Sequence, residues 1–330
     1  MPAGSTDRRI DKLIHLLVTN ATVVVPGPKI ASEIGVTRST VWTWIEKLRS
    51  LGVEIRGHPS SGYQLQKLPD LLVPSLIRPQ LEGHEIGQKI IHYFRTESTN
   101  DVGLDLVSRG ATHGTVIVAE EQTAGRGRLG RAWYSEKSSG IYASILLRPP
   151  LSPAAAPVLT LMAGLAAHEA VAEIAGLDVD IRWPNDLLVG GKKVCGILTE
   201  MSAEIDRLHA VVIGIGINVN HADMPADLKG IATSLRIEGH KAFSRLHLFA
   251  GLLKGLEKYY HLLLAEGNAA ITRRWAEVST YARDKRVRVV TSSGEFQATT
   301  LGVEASGALR VRDEAGQEHS LVTGEIVEVK

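Results

Sequence analysis

A single cysteine, Cys195, stands in a chain of 330 residues, which excludes an intramolecular disulfide and any metal centre built from several thiolates. Nothing near it in sequence would stabilise a thiolate, so Cys195 is expected to be a small buried hydrophobe. No stretch approaches the uninterrupted apolar run of a membrane helix, and residues 1–10 carry charges where a signal peptide needs an apolar segment. A cytoplasmic protein with no membrane partner is expected. Internal repeats and low-complexity segments are absent. The twelve histidines form no metal-ligand spacing, and no serine–histidine–acid set is visible. Net charge is also nearly absent, at +1, and that total argues neither for nor against nucleic acid. Its distribution is more telling. Residues 1–67 hold nine basic and five acidic side chains, net +4, whereas the remainder holds 28 and 31, net −3. A basic headpiece on a mildly acidic body is the pattern of a DNA-reading module attached to something else, although a plain solvated surface can carry the same excess.

What is present divides into blocks. The length favours two or three domains, and 44% hydrophobic with 22% charged residues is ordinary for a globular chain. Within 1–67, Ile10, Leu13, Ile14 and Leu17 recur at helical spacing, and a Pro/Gly break follows at 23–28. A short helix over 29–34 meets a turn at Gly35. Thr37 is placed to cap a second helix whose buried stripe is Val41, Trp44, Ile45 and Leu48, ending at Gly52. Two short alternating runs, 53–56 and 63–66, flank His58-Pro59-Ser60-Ser61-Gly62 as a hairpin. Helix, turn, helix, hairpin is the order of a winged helix-turn-helix, although a small helical hairpin with a glycine turn would read alike. Residues 68–84, with three prolines, are expected to be a linker with one helical turn. Over 85–280, strand-like runs at 89–94, 115–119, 141–147, 180–183, 186–189, 193–199 and 209–215 alternate with helices at 101–108, 159–175 and 244–276. This predicts an α+β domain with a mixed sheet. From 281 to 330, five short alternating runs punctuated by glycine predict a small all-β domain or barrel.

The segment richest in chemistry is Gly125-Arg126-Gly127-Arg128-Leu129-Gly130-Arg131. Its letters satisfy the dinucleotide fingerprint G-x-G-x-x-G, but the context fails. No helical periodicity follows, and Arg148-Pro149-Pro150 stands where an acidic residue for the ribose belongs. Three arginines alternating with three glycines instead place guanidinium forks on a backbone free to wrap an anion, such as a carboxylate beside a phosphate. Mutual repulsion should keep such a loop mobile until ligand arrives. A solvated basic turn or a single-strand nucleic-acid patch is the plainer alternative. The neighbouring candidates also have plain readings. Ser98 and Thr99 would cap the following helix whatever the function. Trp133 could be core or an adenine-stacking face, Lys193 a snorkelling lysine, and Gly214 and Gly216 a device for close strand packing.

Taken in order, these segments resemble the biotin protein ligases. Gln122-Thr123-Ala124-Gly125 through Trp133 resembles that family's signature loop, and Glu97-Ser98-Thr99-Asn100 its biotin-holding segment. Arg182-Trp183-Pro184-Asn185-Asp186 resembles its KWPND stretch, with Arg for the first Lys. Lys193-Val194-Cys195-Gly196-Ile197-Leu198-Thr199-Glu200 and Gly214-Ile215-Gly216-Ile217-Asn218-Val219-Asn220 resemble its two central strands. The likeness spans residues 8–330, so it points to the subgroup that doubles as a biotin-operon repressor.

The resemblance implies a winged helix, a central mixed-sheet ligase domain and a C-terminal SH3-like β-barrel. The implied chemistry joins biotin to AMP with ATP and Mg²⁺, then passes biotin to a lysine of a biotin carboxyl carrier protein. Arg126, Arg128 and Lys193 are implied to be catalytic. Biotin would meet Ser98, Thr99, Asn100, Gln122, Arg126, Gly127, Arg128, Lys193, Gly214 and Gly216. Nucleotide would meet Arg128, Arg131, Trp133, Asn185, Asp186, Lys193 and Asn218, with Mg²⁺ riding on the ATP phosphates rather than on protein ligands. Operator DNA would meet Arg38, Ser39, Trp42 and Thr43, and the adenylate-bound form would be a homodimer. The competing functions are a lipoate ligase or octanoyl transferase of similar body plan, against which the Arg-Gly loop argues, and a biotin-sensing DNA-binding regulator without catalysis.

Overall fold

The computed structural model describes residues 8–67, 70–204 and 208–329. The extreme N-terminus and the first two linker positions, for which expectations are stated above, lie outside the described residues. The headpiece is built from α1 (Arg8–Thr19), α2 (Gly27–Ile34), α3 (Arg38–Ser50) and a hairpin of β1 (Ile55–His58) and β2 (Gly62–Leu65). Helix α2 stops where Gly35 turns left-handed at φ 76°, a conformation glycine adopts without steric cost. The Thr37 hydroxyl accepts from the Thr40 amide at 3.2 Å and starts α3 as a side-chain cap. Val41, Ile45 and Leu48 are buried, and Trp44 is half-buried against the same core.

The linker is more ordered than its prolines suggest. Helix α4 (Pro74–Ile77) runs into a 3-10 turn over Arg78–Leu81, because proline in a first helical turn forfeits no internal hydrogen bond. Leu72, Leu76, Ile77 and Leu81 are buried, which docks the segment on the body.

The body is a seven-stranded mixed sheet. Its strands are β3 (Ile90–Tyr93), β4 (Thr115–Ala119), β5 (Gly140–Leu147), β6 (Val179–Arg182), β7 (Asp186–Val189), β8 (Lys192–Ala203) and β9 (Leu208–Asn218). They lie in the order β3-β4-β5-β9-β8-β7-β6, with β3 and β4 parallel and the other neighbours antiparallel. Strands β8 and β9 run longer than their apolar cores foretell, because residues 200–203 of β8 go on pairing with β9 and residues 216–218 of β9 go on pairing with β5.

Successive strand residues point to opposite faces, and both faces are covered. Ile117 and Ala119 pack with Leu106 of α5 (Thr99–Ser108), while Val116 and Val118 join the cluster of α6 (Ala156–Ala175). A short α7 (Leu235–Gly239) precedes α8 (Arg245–Glu266) and α9 (Asn268–Val278). The expected single helical stretch is therefore two helices, divided at Gly267 with φ 77°. Helix α6 corrects the expectation about apolar runs, since by length and composition it could cross a membrane. Here it is a core helix against the sheet and α8, and a Cβ on Gly255 would already touch the Ala166 backbone at 3.3 Å.

The C-terminal block contains β10 (Arg286–Thr291), β11 (Gly294–Val303), β12 (Leu309–Asp313), β13 (Glu318–Leu321) and β14 (Glu325–Glu328). They form one antiparallel sheet, β13-β12-β11-β10-β14. A closed barrel was expected. Among the described residues the outer strands β13 and β14 do not pair, so the pairing is that of an open sheet.

One buried ionic cluster ties linker, sheet and helices together. Arg245 donates to Glu120 at 2.8 Å, to the Asp70 carboxylate at 3.1 Å and to the Gly140 carbonyl at 3.1 Å. Glu120 also accepts from the Leu72 amide at 2.8 Å, and His92 lies 3.4 Å away. Burial alone would raise the Glu120 pKa, but Arg245, His92 and the Leu72 amide outweigh it and hold the group at about 2, below the ordinary 4.5. A carboxyl depressed in this way stabilises the fold above pH 4.5, and that contribution disappears as pH falls toward 2. Glu120→Gln removes the fully buried carboxylate from Arg245 and leaves it only the partly exposed Asp70, which should lower unfolding free energy by roughly 3 kcal/mol. It should also flatten the loss of stability across that acid range. Urea unfolding of both proteins at stepped pH measures this, and parallel curves would deny the cluster its role.

Candidate active site

The site begins with three missing side chains. Gly214 and Gly216 sit two apart on β9 and so share one face, and Gly196 of β8 pairs directly with Gly216. The absent Cβ atoms leave room for specific neighbours. A Cβ on Gly214 would lie 2.2 Å from Asn100 Oδ1. One on Gly216 would lie 2.4 Å from the Trp133 ring, and one on Gly196 would lie 2.8 Å from it. The glycines are a floor on which Asn100 and Trp133 lie. Above it opens a cleft of about 190 Å³.

One wall is the start of α5. Ser98 caps the helix by accepting from the Asp101 amide at 3.4 Å. Gln122, just past β4, accepts from the Thr99 amide at 2.8 Å and the Thr99 hydroxyl at 3.1 Å, and donates to Ser135 at 2.9 Å. Asn100 donates to the Leu198 carbonyl at 3.2 Å and to Glu200 at 2.8 Å, while its oxygen sits 2.6 Å from the Ser144 hydroxyl. Buried and fully engaged, Ser98, Thr99 and Asn100 form a rigid polar wall.

The arginine loop closes the opposite side. Trp133 N–H donates to the Gly125 carbonyl at 2.8 Å and Gly127 N–H to the Arg131 carbonyl at 2.7 Å, which pinches the loop at its base. A Cβ on Gly125 would strike the Trp133 carbonyl at 2.7 Å. Self-repulsion among the arginines was expected to hold the empty loop loose, but each guanidinium has partners. Arg126 pairs with Asp101 and Glu200, Arg128 donates to Asn185 at 3.3 Å and the Gly324 carbonyl at 3.1 Å, and Arg131 meets Glu325 at 2.7 Å. Burial lowers the Arg128 pKa, opposed by Glu325 and Asp186. The loop is thus pre-folded around acids and carbonyls.

Lys193 reaches the cleft from the start of β8. Its ammonium pairs with Asp186 at 2.5 Å and lies 5.4 Å from the Trp133 ring centre. Asp186 also accepts from Arg182 at 2.8 Å, so it stands behind Lys193 rather than lining the cleft. Asn185 donates to the Ile197 carbonyl at 2.8 Å and Asn218 to the Thr233 carbonyl at 3.1 Å. The side-chain oxygen of Asn218 and the indole N–H of Trp133 are buried without partners among the described residues. Cys195 faces away and is fully buried, its thiol pushed far up by desolvation.

Every residue expected at biotin or nucleotide lies in or directly behind this one cleft. Arg38, Ser39, Trp42 and Thr43 are elsewhere, all exposed on α3. Several residues that line the cleft, or that hold Asn100 of its wall in place, escaped the sequence reading. Gly196 and Glu200 lay unassigned within a quoted strand motif. Ser144 and Ile231 carried no local signal, and Glu325 arrives from the last strand.

Residues 93–218 match the Biotin/lipoate A/B protein ligase family and residues 9–64 an HTH domain. The "Bifunctional ligase/repressor BirA" of Bacillus subtilis is 38% identical over 306 residues, covering 92% of this chain and 94% of that protein. The chain belongs to the bifunctional biotin ligase/repressor family. The Paracoccus denitrificans "Biotin--[acetyl-CoA-carboxylase] ligase" is 32% identical over 68% of this chain and 94% of its own length. In fold, the chain is similar to an Aquifex aeolicus biotin protein ligase solved in complex with biotin and ATP, with a TM-score of 0.63 and 28% identity. That match covers 74% of this chain and 99% of the other.

Gly214→Ala should force Asn100 off the floor and cost about 1–3 kcal/mol, the usual penalty for overpacking. Truncating Asn100 in the same chain removes the clash. The double variant Gly214→Ala/Asn100→Ala should therefore be less destabilised than the two single losses added together, as a double-mutant cycle in urea would report. Strict additivity would show that the two residues do not meet.

Proposed function

We propose that this chain activates biotin with ATP to biotinyl-5′-adenylate, transfers biotin to a lysine of a biotin carboxyl carrier protein, and represses transcription through its winged helix. The observation that carries the enzymatic half is the convergence of Arg126, Arg128 and Lys193 on one cleft whose other wall is a rigid polar helix start.

The biotin carboxylate attacks the α-phosphorus of ATP, and pyrophosphate leaves. The carrier amine then attacks the mixed anhydride, and AMP leaves. Both steps crowd negative charge, so preorganised cations and exclusion of water matter more than a strong base. Arg126 and Arg128 exchange their carboxylate and carbonyl partners for the biotin carboxylate and α-phosphate, and Lys193 leaves Asp186 to bridge the two. Gln122, Ser98, Thr99 and Asn100 orient the ureido ring, and Gly127 lets the loop backbone approach. The glycine floor at Gly214 and Gly216 serves biotin through the residues it seats. Trp133, Arg131, Asn185, Asp186 and Asn218 serve the nucleotide.

Among the described residues no group of three or more His, Cys, Asp or Glu converges on a metal position. Mg²⁺ is read as riding on the nucleotide phosphates, with Asn185 on the cleft wall as the donor this chain would offer and Asp186 acting through Lys193. Bound there it neutralises triphosphate charge.

The same reading divides the chain into a winged helix (1–67), a linker (68–84), a ligase domain (85–280) and an SH3-like domain (281–330). It assigns operator DNA to Arg38, Ser39, Trp42 and Thr43. It also makes the adenylate-bound form a cytoplasmic homodimer.

Purified protein with ATP, Mg²⁺ and biotin should release pyrophosphate and label a carrier domain, whereas lipoate should give neither. Silence with biotin, or equal turnover with lipoate, would overturn the reading. Lys193→Ala should lower adenylate formation by about a thousandfold, the scale of losing one preorganised charge in a water-excluded site. Near-normal turnover of a folded variant would remove Lys193 from the chemistry.

A further inference from the structure

We infer that Trp42 is the base-reading residue of the recognition helix and that it reads the 5-methyl group of a thymine in the major groove of duplex DNA. This deepens the repressor half of the proposed function and rests on it.

Helix α3 is used unequally along its length. Its C-terminal half is committed to the rest of the chain. Lys47 stacks over Phe94 of the ligase body at 4.4 Å, Arg49 donates twice to the Ile55 carbonyl of the wing at 3.0 and 2.8 Å, and the Ser50 carbonyl accepts from Lys137 at 3.3 Å. Its N-terminal half, the end that meets base edges in helix-turn-helix proteins, is free. Arg38, Ser39, Trp42 and Thr43 stand at i, i+1, i+4 and i+5 and so share one outward face. All four are exposed.

Trp42 is 57% exposed, and no aromatic or cation contact holds it among the described residues. Four positions before it, Arg38 makes no ion pair among the described residues. The acids nearby are spoken for, Glu33 by Lys29 and Glu46 by Arg49. A free cation one helical turn from a bare indole fits a polyanion that also presents apolar groups.

Duplex DNA has one apolar substituent on its major-groove edges, the thymine methyl. An indole makes no bidentate pair with any base edge, since it offers one N–H and no acceptor. Its discrimination therefore comes from apolar contact. Arg38, with five N–H donors and no ion-pair partner among the described residues, is left for phosphate or for a neighbouring base. Thr43 already donates its hydroxyl proton to the Ser39 carbonyl at 3.1 Å, which leaves the indole as the large apolar group of this face.

The experiment selects duplexes from a random library with the full-length protein, biotin, ATP and Mg²⁺. Each thymine of the selected site is then replaced in turn by deoxyuridine, which removes only the methyl group. One thymine in each half-site should lose about fourfold in affinity on replacement, the worth of one buried methyl group. Trp42→Ala, at an exposed position, should fold and ligate as the parent does, bind the thymine duplex weakly, and show no difference between thymine and uracil. Selection of a specific duplex in which uracil is neutral everywhere would overturn the inference while leaving the repressor reading intact. A methyl effect of equal size in Trp42→Ala would assign the contact to another residue and overturn it as well. Failure to select any specific duplex would overturn the repressor reading and this inference with it.

Discussion

The patch of β8 and β9 where Gly196, Gly214 and Gly216 omit their Cβ atoms is the constraint on which the rest of the site depends. A sheet normally presents side chains that hold a packing helix about 10 Å away. Here the three glycines bare that patch, so Asn100 and Trp133 descend onto the backbone itself. Asn100 brings with it the first turn of α5 and its ring of hydrogen bonds through Ser144, Glu200 and Gln122. Trp133 draws down the base of the arginine loop. Polar wall and cationic loop therefore face each other across a gap set by backbone geometry, which thermal motion of long side chains would blur.

Electrostatics works on top of that geometry. The loop arginines are matched one by one to Asp101, Glu200, Glu325 and backbone carbonyls, and Lys193 is matched to Asp186. Such an arrangement is already oriented for an anion and loses little order on accepting one. It also joins parts of the chain far apart in sequence, because Glu325 and Gly324 come from the C-terminal sheet. The C-terminal sheet therefore contributes directly to the enclosure of the cleft.

A second fixed point lies under the loop. Glu120 stands two residues before Gln122 and is fully buried with Arg245 and His92, and the same carboxylate accepts from the Leu72 amide of the linker. The linker that carries the headpiece is thus anchored to the strand end that launches the pocket. Asp11 of α1 accepts from the Ser75 amide at 2.9 Å and strengthens the seam from the other side. Lifting the linker off the body would take the Asp70 carboxylate from Arg245 and the Leu72 amide from Glu120, so the linker is held by charge as well as by apolar burial.

Period-2 and period-3.6 patterns, glycine stops and the Thr37 and Ser98 caps are local properties of the backbone. They were legible in the sequence, as were the winged helix, the mixed sheet and the ordered motifs around the Gly125–Arg131 loop. What the sequence could not show was which partners those motifs meet. The break at Gly267 and the overlong β8–β9 hairpin were hidden because apolar periodicity runs through the first and fades before the end of the second. Burial of α6 as core rather than membrane span depended on what packs against it. Glu325 joined the cleft, Ser144 met Thr99 and Asn100, Asp186 withdrew behind Lys193, and the glycine pair acted as seats for Asn100 and Trp133, all through contacts between residues tens to hundreds of positions apart. Residue type and spacing determined the chemistry this chain is equipped for. Only the folding of distant strands onto one another decided which charges neutralise which, because that depends on distance in space and sequence order does not carry it.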